Sequence, residues 1–326
     1  MFDRSTGLAV ALVAALGMAM TEAQAAEIHT GGESGAYQST FCPMLKSRID
    51  GVGRTFDCKT SLGSSENLRR IARDPEDFGY AQLDVFALES GRFGGRNTFR
   101  SVRTDDAREC VFAVTANRNL TNYGQIAVNS DVLKFILPPR SSGSASTFEF
   151  LSSIDPTGLG RARRVSHASD TDEAIRRTIR DGQAVTFFVQ FPDPSNKRFQ
   201  MIRRLGGHLV PVVDGVILDQ EVNGTPVYFA QETQITQHRW MRAGKHVVTA
   251  CTPLVLFTGN PNRITAPDVR LAQRRLISSL RALRSGDLVP QDSVFEQLYR
   301  RTRSASTRAR EHFLRVSRNA RLRARP

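Results

Sequence analysis

The chain has 326 residues, of which 40% are hydrophobic and 8% aromatic, enough apolar surface for folded cores; this excludes a globally disordered polypeptide. Its formal net charge of +13 is local: residues 261–326 carry 16 Arg against five acids, whereas the first 260 carry 29 basic and 27 acidic groups. A nearly neutral body does not read as a nucleic-acid binder, and the length suits two lobes of roughly 130–150 residues each.

The first element is an apolar run from Gly7 to Met20, followed by Ala23-Gln24-Ala25. About 14 apolar residues are too few to span a ~30 Å hydrocarbon core but suit the apolar region of a signal peptide, and the small-x-small triplet suits its cleavage. The sequence therefore predicts a signal peptide over 1–26, cut after Ala25 or Ala26, and export to the periplasm. No Cys lies near the cut, so no lipid anchor is expected. No other segment approaches ~18 consecutive apolar residues.

Strand-like Glu27 to Thr30 leads into Gly31-Gly32-Glu33-Ser34-Gly35-Ala36-Tyr37 and then a helix through Ile49. Phe56 to Ser61 reads as a strand, followed by Gly63-Ser64-Ser65-Glu66-Asn67 and a helix to Arg73. Phe78 to Val85 reads as strand and turn, and Cys110 to Val114 as a strand. Leu133 to Leu137 precedes a Pro/Ser/Gly loop over 138–146, with Ser146 and Glu149 spaced as a capping box for the next helix. A helix over 169–180, a strand over 184–191, a helix over 195–205 and a strand over 209–213 follow. This alternation predicts an α/β fold with mainly parallel sheets covered by helices.

Four cysteines, Cys42, Cys58, Cys110 and Cys251, fall in the exported part, and an even number there suggests disulfides. Four cysteines allow three pairings, among which sequence cannot choose. The favoured pairing is Cys42–Cys58, closing a short loop, with Cys110–Cys251 tying distant segments; buried free thiols are the alternative. No CxxC or HxxxH spacing supports a metal site. A Gly-x-Ser-x-Gly elbow and a Gly-Lys-Ser/Thr phosphate loop are also missing, and the six histidines are scattered, so no enzyme and no cofactor is expected.

The glycine- and serine-rich junctions around 31–37, 63–67 and 141–147 carry the functional signal. Helix starts present unpaired N–H groups and the positive end of a dipole, which together suit an anion. Thr30 to Tyr37 resembles the opening Gly-rich segment of the TAXI solute-binding proteins of TRAP transporters. Ser64-Ser65-Glu66-Asn67-Leu68 with Asp77-Phe78-Gly79-Tyr80-Ala81-Gln82-Leu83-Asp84 is similar to that family's second signature. Pro139 to Thr147 resembles the Gly-Ser loop that heads a helix in the second lobe of type 2 periplasmic binding proteins. Ala174-Ile175 through Asp181 to Ala184, then Phe187-Phe188, is similar to the later helix-to-strand passage. Where the family often has a second aromatic after the tyrosine, this chain has Gln38.

The resemblance covers about 27–260 and implies a two-lobed, type 2 periplasmic-binding-protein architecture, each lobe a mainly parallel sheet flanked by helices. It implies lobe I over 27–117 plus 240–285 and lobe II over 118–239, with a small solute bound between them. Gly32, Ser34 and Gly35 would meet an anionic end of the solute, with Ser144 and Ser146 across the cleft. Tyr37 would cover it, and Asn67, Gln82 and Asp84 would hold its polar or cationic groups. The implied partner is the membrane part of a TRAP-type transporter. The alternative is a non-transport envelope protein on the same fold.

Thr265 to Arg284 reads as an amphipathic helix capped by Thr265, with Val269, Leu276, Leu280 and Leu283 as its stripe, expected to pack back on lobe I. Residues 286–326 read as an Arg-rich tail, helical or disordered. Its charge suits an anionic envelope surface or an acidic partner rather than nucleic acid, since no interleaved aromatics accompany it.

Overall fold

The computed structural model describes residues 25–33, 35–50, 54–104, 107–222, 224–237, 244–284 and 286–289. The expected signal peptide, apart from its last two residues, Ser34 and nearly all of the Arg-rich tail lie outside the described residues. In chain order the elements are β1 (Ala26–His29), a π-helical turn (Tyr37–Phe41) running into α1 (Cys42–Ile49), β2 (Phe56–Lys59), α2 (Ser64–Arg73), β3 (Phe78–Gln82) and α3 (Leu83–Arg92). Next come β4 (Phe99–Arg103), β5 (Arg108–Thr115), α4 (Tyr123–Val128), β6 (Lys134–Leu137), α5 (Gly143–Ile154), β7 (Arg164–His167), α6 (Thr171–Arg180) and β8 (Ala184–Gln190). The chain continues with α7 (Lys197–Arg204), β9 (His208–Val210), α8 (Gly215–Leu218), the small pair β10 (Glu221–Val222) and β11 (Thr225–Pro226), β12 (Phe229–Gln234), β13 (His246–Gly259) and α9 (Pro267–Ala282).

Two α/β layers result. In the first, β2, β1 and β3 run parallel, and the far end of β13 joins antiparallel to β3 and to β4. In the second, β7, β6 and β8 run parallel, β5 lies antiparallel to β8 and β9, and the near end of β13 lies antiparallel to β5 and β12. This is a two-lobed α/β architecture in which β13 belongs to both sheets. The sequence of β8, Ala-Val-Thr-Phe-Phe-Val-Gln, is almost continuously buried, as a strand covered on both faces requires.

β13 changes partner at one residue. Pro253 is its last position opposite β5 (Arg108), and Leu254 is its first opposite β3 (Gln82). Proline has no N–H for a ladder, so a strand tolerates it best where one ladder ends and another begins. The other passage between sheets is the β4–β5 connection. Pairing thus places 108–115 and 246–253 in the second sheet, whereas the sequence assigned 108–117 and 240–285 to lobe I. Both predicted disulfides are formed, and there is no free cysteine. Cys110 and Cys251 face each other in register across β5 and β13, the two strands on which the chain enters and leaves the second lobe.

Each lobe has its own core. One cluster joins Ile28, Phe41, Phe56, Phe78 and Leu254 with Leu276, Ile277 and Leu280, so α9 packs back on the first sheet. Another joins Phe135, Phe148, Leu151, Phe187 and Tyr228 in the second lobe. Three local expectations are corrected. Residues 83–92 form α3 directly after β3, rather than a turn. The helix expected to open at Ser146 opens at Gly143, capped by Ser142, whose Oγ accepts from the Ala145 N–H at 3.2 Å. Helix α9 begins at Pro267 after Ala266, which makes no side-chain cap, so Thr265 is not the cap. Among the described residues no helix is long and apolar enough to cross a membrane.

Candidate interlobe binding site

The N-termini of α2 and α5, one from each layer, meet face to face. Gly63 precedes α2 at φ 125°, a conformation that favours glycine, and a Cβ there would lie 3.3 Å from the Gly143 nitrogen. Gly143 opens α5 against the Gln82 side chain: a Cβ at 143 would fall 2.3 Å from Gln82 Oε1. Gly63 is favoured by its backbone conformation, and Gly143 leaves room for the Gln82 carboxamide. Ser65 and Ser146 join hydroxyl to hydroxyl at 2.6 Å across this junction.

Beneath the helix ends runs a buried chain of hydrogen bonds. Ser64 Oγ donates to Gln82 Oε1, Gln82 Nε2 donates to Glu109 Oε2 at 2.8 Å, and the Tyr37 hydroxyl donates to the same oxygen. Burial pushes the Glu109 carboxyl up to about 7 against the pull of the Tyr37 and Gln82 hydrogen bonds; the Asp84 charge adds to the rise and Arg198 opposes it. A second knot links the layers through Asp84, whose Oδ2 accepts from Thr147 Oγ1 at 2.6 Å and from the Tyr228 hydroxyl at 2.7 Å. Burial raises the Asp84 carboxyl as well, opposed by those hydroxyls and by amides in the first turn of α3. Burial also raises the Tyr37 and Tyr228 phenols, so both act as donors.

Of the residues singled out by sequence, Tyr37, Gln82, Asp84 and Ser146 come together in this junction. Ser144 lies in the same turn, but its Oγ accepts from the Val189 N–H at 2.9 Å and so faces β8. The Asn67 amide donates to the carbonyls of Thr30 at 2.6 Å and Tyr80 at 2.8 Å, tying the ends of β1 and β3 together. Gly32 is exposed, and the Gly35 N–H is spent on the Gly32 carbonyl at 2.8 Å. Ser34 lies outside the described residues. Gln38 accepts from Thr30 Oγ1 at 2.6 Å, a local role.

Sequence reading missed Glu109, Thr147, Tyr228 and Thr252. An acid directly before an apolar strand, as Glu109 is, was the one available signal. Thr252 stands opposite Glu109 in the ladder, on the same face, and its buried Oγ1 has no hydrogen-bond partner. The polar floor of the junction thus holds an unsatisfied hydroxyl beside a buried carboxyl. Elsewhere, Glu27, His29 and Asp77 form the one grouping with metal-like spacing among the described residues. There Asp77 is engaged by His29 Nε2 at 2.9 Å and by the Glu27 N–H at 2.8 Å, and Lys59 faces Glu27 at 3.7 Å, so the carboxylates already have partners.

No protein-family model and no curated protein matches this chain. Solved structures match at low identity. One is a Candida albicans gene product described as defining a new family with the generic periplasmic binding protein fold, at 12% identity and TM-score 0.45, covering 78% of this chain and 70% of that one. A structure described as a periplasmic transporter matches at 12% and 0.42, covering 90% and 97%. An ABC-transporter choline binding protein in complex with choline matches at 10% and 0.43, covering 84% and 86%. The two-lobed architecture is given by the strand pairings described above.

Proposed function

We propose that this is an exported binding protein that captures a small organic solute between its two lobes and hands it to a TRAP-type membrane transporter. The observation that supports this reading is the convergence of the α2 and α5 N-termini on a buried polar floor that includes the unpartnered Thr252 hydroxyl. Once the lobes part, a solute carboxylate would take the seat now held by Gln82 Oε1, between Ser64 Oγ and the first turn of α5. Tyr37, Asp84 and Glu109 would then meet its polar or cationic groups, and Gly32 and Gly35 would lie at the rim. A solute touching both lobes binds the closed form better than the open one and so shifts the population toward closure. The two disulfides suit an oxidising compartment such as the periplasm.

A thermal-shift panel of amino acids, organic acids and phosphorylated solutes on the mature protein tests this. A ligand at 100 times its Kd stabilises by about 2.7 kcal/mol, a plain rise in Tm. A panel without any shift overturns solute capture. It would favour the second reading, a non-transport envelope protein, for which the direct Ser65–Ser146 and Asp84–Thr147 links speak, since they join the lobes without a solute. That reading expects an envelope partner retained by the full chain and lost when residues 290–326 are removed.

A further inference from the structure

The back of the first layer holds a groove unrelated to the interlobe junction. It is an open groove of about 390 Å³ between β4, the turn after β13 and one face of α9. Arg274, Ile277, Ser278 and Arg281 recur at helical spacing along that face, and Arg100 and Asn262 close the other side. The groove is built rather than frayed. The Asn260 side chain is buried, with Nδ2 donating to the Asn97 carbonyl at 3.0 Å and Oδ1 accepting from the Asn262 N–H at 3.1 Å, which pins the turn.

Each guanidinium is positioned by a neutral acceptor. Arg274 Nη2 donates to Asn262 Oδ1 at 2.7 Å, Arg281 Nη2 to the Ser101 carbonyl at 2.7 Å, and Arg100 Nη1 to the carbonyls of Phe99, at 2.9 Å, and Arg96. A guanidinium carries five N–H donors, so most remain for a ligand. No acid lines the groove, and none among the described residues forms an ion pair with Arg100, Arg274 or Arg281. Three uncompensated charges with oriented forks match the oxygens of a phosphate group, and the volume accommodates a small molecule.

We infer that this groove is a binding site for a phosphate-bearing group, presented either by a soluble phosphomonoester or by an anionic lipid headgroup. The test uses the full mature chain at low salt. Glycerol 3-phosphate in calorimetry is one arm, and flotation with phosphatidylglycerol against phosphatidylcholine vesicles is the other. The site predicts a Kd below about 1 mM for glycerol 3-phosphate, or flotation with phosphatidylglycerol alone. In the double variant R274A/R281A, which keeps the basic tail, the active arm should weaken by about tenfold or more. Ser278→Glu, an exposed change that sets a carboxylate in the groove, should do the same with an unchanged Tm. Response in the first arm assigns a soluble ligand, and response in the second alone assigns a lipid. Silence in both arms, or variants that bind like the parent protein, overturns the site.

Discussion

At the residue scale, Glu109 contributes a pH dependence to the stability of the fold. Its carboxyl is raised from 4.5 to about 7, so the folded chain holds a proton that the unfolded chain has released between those values. Its contribution to stability is therefore fully present below about pH 4.5 and is lost as pH rises through 7, by on the order of 3 kcal/mol. Asp84, also raised by burial, acts with the same sign. In urea unfolding across pH 4–8, Glu109→Gln should flatten the fall that the parent protein shows toward neutral pH. A fall of equal size in both proteins would place the titrating group elsewhere. The sequence named Tyr37, Gln82 and Asp84 from their motifs. Glu109, which receives bonds from two side chains at distant positions, Tyr37 and Gln82, could not be linked to them before the strands were aligned.

At the element scale, the α2–α5 meeting is controlled by glycine. Gly143→Ala would drive its methyl into the Gln82 carboxamide and push it off Ser64 and Glu109. A loss of about 1–3 kcal/mol in denaturant unfolding is expected, through the broken Ser64–Gln82–Glu109 chain. An unchanged midpoint would mean that the Gln82 carboxamide does not lie against residue 143 in solution. The sequence signalled these junctions through their Gly and Ser content but set the α5 cap at Ser146, because a capping-box pattern was present there by composition. Ser142 is the cap, which leaves Ser146 inside the first turn and free to face Ser65. Helix α3 was hidden because Gln82, Leu83 and Asp84 continue the apolar-polar run of β3 without a break. Strand β13 was overlooked: Pro253 interrupts it, and only the sheet switch explains why a proline is tolerated there.

At the scale of the molecule, Cys110–Cys251 clamps the two strands that connect the lobes and closes a segment of 141 residues. Replacing both cysteines by Ala should cost about 3–5 kcal/mol and lower Tm, and thiol titration of the denatured, unreduced parent protein should find no free thiols. Four free thiols would remove the clamp. Sequence alone determined the α/β alternation, the localisation of charge in the C-terminal fifth and the even cysteine set. These follow from local periodicity and counting, which short-range chemistry fixes. Tertiary structure alone decided which cysteines pair, that β13 serves both sheets, and that Gln82, Glu109 and Thr252 share one buried floor. Those facts depend on contacts between residues separated along the chain, by 16 positions for Cys42–Cys58, 27 for Gln82–Glu109 and 141 for Cys110–Cys251, and such contacts are set by which apolar faces bury one another rather than by any local pattern.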